Sequence, residues 1–516
     1  MATKCVLNVD LAGVYDKHDE GRKLLTMLAW GDDVDVVEVT TRYLRINAVR
    51  FETAGDGSIL PVTTEAFIVP PASAKKPDGS KLTPADVVIP KEKNAVLKVN
   101  FVDVQQGDGA VIESPDGRII LVDGGDNQLF ARYLAGRFRG TTLTDPKKID
   151  CILVTHGDAD HFSGLVEIFE SEHNNEPRKR LFIAPERVYH NGLVKRPREQ
   201  NERKLPDKEL LGPTQEVDGQ TIITGLVDSL LNVPDGEMNL PFKRWKKALA
   251  TWNSRSTIEF RRLASGDDDA FNFFKSNDLE ISVLGPRLTE KNGVTGLKFL
   301  GNPPRGPRIG HESLSLDQSG FKGCDASHTI NGHSIVFRLR YGGFSYLFSG
   351  DLNDEASRDL AGRNQRGEIN LRSEVFKVPH HGSHDFSGAF LQMVSPIISI
   401  VSSGDESAKK EYIHPRATLM GALGRHSRVD EPLVFVTELV AFFRTEGWAR
   451  LTDDKKDGKR GEFFSFSRAA YGIVKTRTDG RRLFVYTDSG KSDMKEAYAY
   501  TLDGHGVPIP SPIVKV

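Results

Sequence analysis

Val154-Thr155-His156-Gly157-Asp158-Ala159-Asp160-His161 is the stretch whose reading decides the fold. Before it lies Ile149-Asp150-Cys151-Ile152-Leu153, an apolar run that reads as a buried strand. After it, Phe162-Ser163-Gly164-Leu165-Val166-Glu167-Ile168-Phe169 reads as the start of a helix. Two imidazoles and two carboxylates therefore share one short loop between a strand and a helix. Helix capping explains one Asp. It does not explain the set His, Asp, Asp, His at steps of two, two and one. That set gathers nitrogen and oxygen donors within one turn of chain, as a two-metal site requires.

Composition bounds the remainder. At 516 residues the chain exceeds one ordinary core, so two or three domains are expected. Hydrophobic residues at 38% and charged residues at 27% fit a globular protein in water. Lys plus Arg (69) and Asp plus Glu (71) nearly cancel, which excludes recruitment of nucleic acid by global charge and leaves only local patches. Cys5, Cys151 and Cys324 form neither a disulfide framework nor a metal-type spacing, and Cys151 reads as an inert core residue. Met1 to Leu11 lacks the apolar core of a signal peptide, and no apolar run nears the ~20 residues that span a bilayer. A soluble, cytoplasmic protein is the expectation.

Residues 1–70 carry short β-rich runs, such as Tyr43 to Phe51, and read as a small β domain, SH3-like in size, with a structural or partner-binding role. The Pro/Lys/Ser/Asp-rich stretch 71–94 reads as a linker. A second domain, 95–500, opens with strands at 95–104, 110–114 and 118–122, then a helix from Gln128 to Phe138. Residues 166–275 read as an irregular insertion with two basic groups. One comprises Lys195, Arg196, Arg198, Arg203 and Lys204; the other has Lys243, Arg244, Lys246 and Lys247 interleaved with Trp245 and Trp252. Cations among aromatics can meet phosphates and stack on bases. The plainer reading is a solvated helix with its aromatics in the core, since Phe242, Trp245, Trp252 and Phe260 recur at helix-face spacing. A Gly/Pro-rich loop runs to about 325, and the hairpin 334–351 turns at Gly342-Gly343. A helix, a few strands and a tail at 501–516 complete the chain.

Four separate strands thus end in metal-competent residues: Asp123, the 156–161 loop, Asp351 and His380-His381. Strand ends meeting at one sheet edge are a common site architecture in α/β folds. In this order they resemble the metallo-β-lactamase fold superfamily. The nearest likeness is the ComEC-type hydrolase branch, named for a domain of a bacterial DNA-uptake protein. The residues that carry it are Phe101-Val102-Asp103-Val104-Gln105-Gln106-Gly107-Asp108-Gly109, Leu121-Val122-Asp123-Gly124-Gly125, Thr155 to His161, Asn331 to Val336, Ser349-Gly350-Asp351-Leu352, Lys377 to Ser383, and His414-Pro415. The resemblance implies an α/β fold, a four-layer αββα sandwich with a small N-terminal β domain and a large insertion, and two divalent metal ions at one edge. His156 and Asp158 then bind the first metal, Asp160 and His161 the second, and Asp351 bridges both. His380 completes the second site, with His381 either behind it, donating to the transition state, or the ligand in its place. A further His for the first site is open among His190, His311, His328 and His333. Without one, the first site is oxygen-rich and weaker, favouring Mn²⁺ or Mg²⁺ there and Zn²⁺ at the second. Asp123, His333 and His414 are candidate pocket residues.

Two cations ~3.5–4 Å apart acidify a shared water, and the hydroxide so made attacks phosphorus or a carbonyl carbon. Asp158 or Asp160 orients it, and His380, His381 or His414 protonates the leaving oxygen. The resemblance points to a phosphodiesterase or nuclease. The alternatives are a hydrolase of small phosphoesters, lactones or lactams, and a non-catalytic metal-binding module.

Overall fold

Leu97–Phe101, Ile119–Asp123 and Cys151–Leu153 are buried at every position because both of their faces are covered. The computed structural model describes residues 2–516 apart from 56–58, 201, 277, 304–322, 405–413, 440–442, 452–460, 467–468, 471 and 489–495. In it these strands lie inside a ten-stranded sheet. Its order is 259–262, 187–190, 151–153, 119–123, 109–113, 97–101, 473–478, 482–488, 497–502, 508–510. A second sheet, of six strands, runs 279–285, 336–341, 344–348, 375–377, 398–401, 433–436. The two pack face to face through an apolar core in which Phe348 stacks on Phe337 at 4.5 Å and on Phe101 at 5.6 Å.

Helices close the outer faces. Helices α1 (Leu129–Arg137), α2 (Ala159–Ser171) and α3 (Leu240–Arg255) cover the first sheet. Helix α4 (Ala326–Gly332) leads into the second, which α5 (Asp354–Gln365), α6 (Gly388–Val394) and α7 (Ala417–His426) cover. This is the expected four-layer αββα sandwich. Strands 119–123, 151–153 and 187–190 are mutually parallel, as are 344–348, 375–377 and 398–401. Within each sheet the loops that follow them therefore gather at a single edge.

Three stretches differ from their sequence reading. The span 166–275 is not all insertion, because Arg187–His190 and Glu259–Arg262 extend the first sheet in parallel. Their Arg and Glu residues hide a strand pattern, and only Glu259–Arg262 stands at the sheet's edge. The linker contributes Val88–Pro90, which pairs with Thr3–Leu7, and buries Leu82 and Val87. The tail forms the strand Pro508–Pro510 and then buries Val514 and Val516 in the N-terminal core. No described residue beyond His426 is helical, where the sequence reading placed a helix. No described helix is long and apolar enough to cross a membrane.

The N-terminal domain is a seven-stranded antiparallel sheet, ordered 24–29, 11–15, 59–68, 44–53, 33–39, 3–7, 88–90. It is tied to the ten-stranded sheet at Asp10, which is 2% exposed. Its carboxylate accepts the Val514 N–H at 2.7 Å and both arms of the Arg482 guanidinium, one of them at 2.9 Å. Arg482→Ala strands that carboxylate and should cost about 3 kcal/mol, read as a lower midpoint in denaturant unfolding.

Candidate metal centre

The centre is built from strand ends. Ile119–Asp123 stops at Asp123, whose φ is +55°, a left-handed conformation that Asp tolerates better than most residues. The Asp123 carboxylate is fully buried. It accepts the Thr155 N–H and hydroxyl, each at 2.7 Å, and lies 2.9 Å from His161 Nδ1. That contact places the imidazole proton on Nδ1 and leaves Nε2 bare. Nε2 faces Asp351 Oδ1 at 3.2 Å.

Asp351 follows the strand Phe344–Phe348 through Ser349 and Gly350. Gly350 has φ +50°, and a Cβ there would meet Ser334 Oγ at 2.7 Å. The Asp351 carboxylate sits between three imidazoles: His161 as above, His381 Nε2 at 3.2 Å and His156 Nε2 at 4.0 Å. His380 and His381 leave the strand Val375–Lys377 with φ of +50° and +52°, a backbone strain concentrated at this one turn. Consecutive left-handed residues send the two rings apart. His381 Nδ1 lies 3.1 Å from the Ser402 carbonyl, and its Nε2 faces both Asp351 and, at 3.6 Å, Asp160. His380 stands one step out, its ring centre 6.1 Å from that of His381 and 6.0 Å from that of His414. The sequence reading put His380 at the second site; His381 is the residue whose nitrogen faces the shared carboxylate.

The structure brings His156, Asp160, His161, Asp351 and His381 together, with ligand atoms in overlapping groups spanning at most 4.8 Å. Asp158 belongs to none of those groups. Its Oδ1 is 2.5 Å from Lys195 Nζ, and its Oδ2 is 3.1 Å from the Asn331 side-chain amide, whose nitrogen can donate to it once the amide is turned. Asp123 lies behind His161 and lines only a small internal gap, with Asp108 and Lys377. His333 points elsewhere: its Nε2 meets the Lys298 carbonyl at 2.7 Å, and the residue lines a separate cavity of about 310 Å³ with Lys298 and Glu355. His190 is held by the Asp228 carbonyl at 3.1 Å and the Gly192 N–H at 3.0 Å, and His328 lies 3.3 Å from Asp385. His311 falls outside the described residues.

In helix α3, Phe242, Trp245 and Trp252 are buried against α2, with Phe242 4.9 Å from Phe162. They are unavailable to stack on bases, and the plainer reading of this helix holds for its aromatics. Lys246 is held by Asp235 at 2.8 Å, while Lys243, Arg244 and Lys247 are exposed.

Sequence reasoning missed Asp108 and Lys377. The stretch Gln105 to Gly109 read as a turn and as part of the family likeness, with no role at the centre, yet it serves the centre three times. Gln106 Nε2 donates to Asp160 at 3.1 Å. Gly107, at φ +105°, passes so close to the Asp160 carbonyl that a Cβ would sit 1.9 Å from it. Asp108 lies 3.4 Å from His381 Nδ1. The buried ammonium of Lys377 is ion-paired with Asp108. A lysine inside the apolar run Val375–Val378 was the available signal, because such a charge needs a buried partner.

Burial holds the His156 imidazole well below its ordinary pKa. Burial also opposes charge on His161 and His381, but Asp351 outweighs it, helped by Asp123 on one ring and Asp108 on the other, and both imidazoles rise well above the ordinary value. Asp351 falls well below, its burial outweighed by His381 and His161. Burial raises Asp158, and Lys195 offsets only part of that.

A divalent cation fits these donors. His161 Nε2, His381 Nε2 and Asp351 Oδ1 are buried without a hydrogen-bond partner. Two ligands each ~2.0–2.1 Å from a tetrahedral ion lie ~3.3 Å apart, and the two imidazole–Asp351 separations are 3.2 Å.

Residues 102–224 match the metallo-beta-lactamase superfamily. ComE operon protein 3 of Bacillus subtilis (strain 168) is 33% identical over 98 residues, 19% of this chain and 12% of that protein. Competence protein ComA of Neisseria gonorrhoeae is 37% identical over 97 residues, 19% of this chain and 13% of that one. The matched stretch therefore spans about an eighth of these relatives. The family match at 102–224 covers the strand ends that carry Asp123 and the 156–161 loop, and the sandwich around them has the layer order that the resemblance implied. The sandwich has the metallo-β-lactamase fold, and residues 102–224 are similar in sequence to that superfamily, as stretches of 97 and 98 residues are to the two competence proteins.

Proposed function

We propose that the chain is a metal-dependent phosphodiesterase acting on nucleic acid. The observation that carries the metal half of this reading is the set of buried atoms without hydrogen-bond partners, His161 Nε2, His381 Nε2 and Asp351 Oδ1, converging from two sheets. Asp160, His161, Asp351 and His381 are the residues that would hold a cation, with His156 and Asp158 flanking them. When bound, a divalent ion there supplies a water acidified toward neutral pH and a Lewis-acid contact for an oxygen of the substrate.

The chain's own residues do the rest. Asp123 and Ser402 fix the tautomers of His161 and His381, so that each presents a lone pair inward. Gln106 holds the Asp160 carboxylate in place. His380, one step outside with His414 beside it, is placed to give a proton to the leaving oxygen. For the phosphodiester half, support comes from the similarity to competence proteins and from α3. A Cβ on Gly157 would meet the Phe242 ring at 2.7 Å, so α3 starts against the site loop and carries the exposed Lys243 and Arg244 beside it.

Asp351→Ala and His381→Ala should each remove at least one metal equivalent per chain, measured by elemental analysis after dialysis, whereas His380→Ala should retain it. Unchanged stoichiometry in Asp351→Ala removes the central role given to that carboxylate. The substrate reading is tested by assaying the metal-loaded chain on single-stranded DNA, duplex DNA, RNA, a chromogenic phosphodiester and a β-lactam. Hydrolysis of the lactam alone sinks it. If nucleic acid binds, reversing charge at Lys243, Arg244, Lys246 and Lys247 should shallow the slope of log K against log salt by about 0.7 per lost phosphate contact. An unaltered slope returns α3 to scaffold.

A further inference from the structure

Resting on the reading of this cluster as a cation centre, we propose that the ammonium of Lys195 stands where a two-cation site has its first ion. The chain then binds one divalent cation tightly and uses a protein-borne positive charge in place of the other.

The two halves of the centre are in different states. On the side of Asp160, His161, Asp351 and His381, three ligand atoms are buried with no hydrogen-bond partner. On the side of His156 and Asp158, Asp158 is already paired with a cation of the protein itself. Lys195 Nζ lies 2.5 Å from Oδ1, and the Asn331 side-chain amide lies 3.1 Å from Oδ2, where its nitrogen can donate once the amide is turned. A cation at Asp158 has to displace an ammonium whose charge already neutralises that carboxylate. The displaced ammonium then stays within a few ångströms of two divalent ions and is repelled by both.

No additional imidazole completes that half among the described residues. His190 and His333 are bonded to the backbone carbonyls of Asp228 and Lys298, and His328 faces Asp385. The loop that carries Lys195 leaves strand 187–190. This strand runs parallel to 151–153 and ends at the same sheet edge as the 156–161 loop.

Lys195 is placed by that loop rather than wandering to Asp158. Asn191 donates to the His333 carbonyl at 2.9 Å and accepts the Leu193 N–H at 3.0 Å. The Lys195 carbonyl accepts the Asn239 N–H at 2.9 Å. Gly192, at φ +85°, lets the loop turn where a Cβ would meet Arg262 Cδ at 2.3 Å. The Lys195 side chain is 22% exposed and that of Asp158 21%. An incoming anion can therefore reach the ammonium, which offers three N–H donors to a phosphate oxygen but cannot acidify a water as a metal does. The two kinds of charge divide the work: the single ion handles the water, and Lys195 holds the anionic group.

The test is a cation count. Protein stripped with a chelator is titrated with Zn²⁺ and, separately, with Mn²⁺ by calorimetry, and ions per chain are counted by native mass spectrometry. Wild type is expected to hold one ion. Lys195→Met should hold two, the second at least tenfold tighter than any second-ion binding in wild type. Lys195→Arg, which keeps the charge, should stay at one. Lys195→Gln is a second neutral variant in case Met at this half-open position disturbs the loop. Two tightly held ions in wild type overturn the proposal, as does a single ion in both wild type and the neutral variants. No ion in any form removes the cation centre and the proposed function with it. A chain that behaves as expected in the titration yet hydrolyses no phosphodiester keeps Lys195 in its place and sinks only the substrate reading.

Discussion

The constraint on which this structure depends is the burial of the Asp351 carboxylate between imidazoles of two different sheets. Taking a carboxylate out of water costs several kcal/mol unless charge and hydrogen bonds replace the water. Here Asp351, Asp123 and Asp108 are all nearly inaccessible within one small region. Each has an assigned counter-group: His161 and His381 for Asp351, Thr155 and His161 for Asp123, and Lys377 for Asp108. The local backbone follows from that need. Asp123, His380 and His381 adopt left-handed conformations because the chain must turn sharply at the strand end to aim a polar side chain inward. Gly107 and Gly350 stand where a Cβ would strike the neighbouring loop.

The centre cannot form on one sheet alone. Asp123, His156, Asp160 and His161 come from the edge of the first sheet, and Asp351, Lys377 and His381 from that of the second. The aromatic stack of Phe101, Phe348 and Phe337 between the sheets sets the spacing that brings the edges together. Phe101 and Phe348 also line a small gap with Asp108, Asp123 and Lys377, so the polar cluster rests directly on the apolar core. A dry floor strengthens each charge pair above it and deepens the cost of leaving any one member unmatched. Stability and site geometry are therefore properties of the same contacts.

How much was legible in sequence follows from how far apart partners lie along the chain. The 156–161 loop declared itself because four donors fall within six residues between a strand and a helix. Asp351 and the 380–381 pair were legible as polar ends of apolar runs. The partners that decide what each donor does were not. Asp108 and Lys377 are 269 positions apart, and Asp158 and Lys195 are 37 apart. No local period links them. The same holds for His380 against His381: adjacent letters point to opposite sides only because both residues take positive φ. The outermost two strands of the first sheet, Arg187–His190 and the edge strand Glu259–Arg262, hid for a different reason, since the charges tolerated there erase the apolar pattern by which a strand is read.

The stretch that is truly inserted, 191–258, reaches the centre at both of its ends. Lys195 enters from the first, and α3 starts against Gly157 from the second, with the Asn239–Lys195 backbone bond joining them. The inserted segment is therefore a wall of the site and not an ornament on the sandwich. The two sheets determine where a cation can sit, because they supply the carboxylates and imidazoles. The insertion determines what else is charged nearby, because it supplies the ammonium at Asp158 and the exposed Lys243 and Arg244. A ligand set on the sheets combined with a cationic wall from an insertion separates two demands that a single loop would have to satisfy at once. The donors must stay fixed to within a few tenths of an ångström, while the surface that meets the substrate can change its charge without moving them.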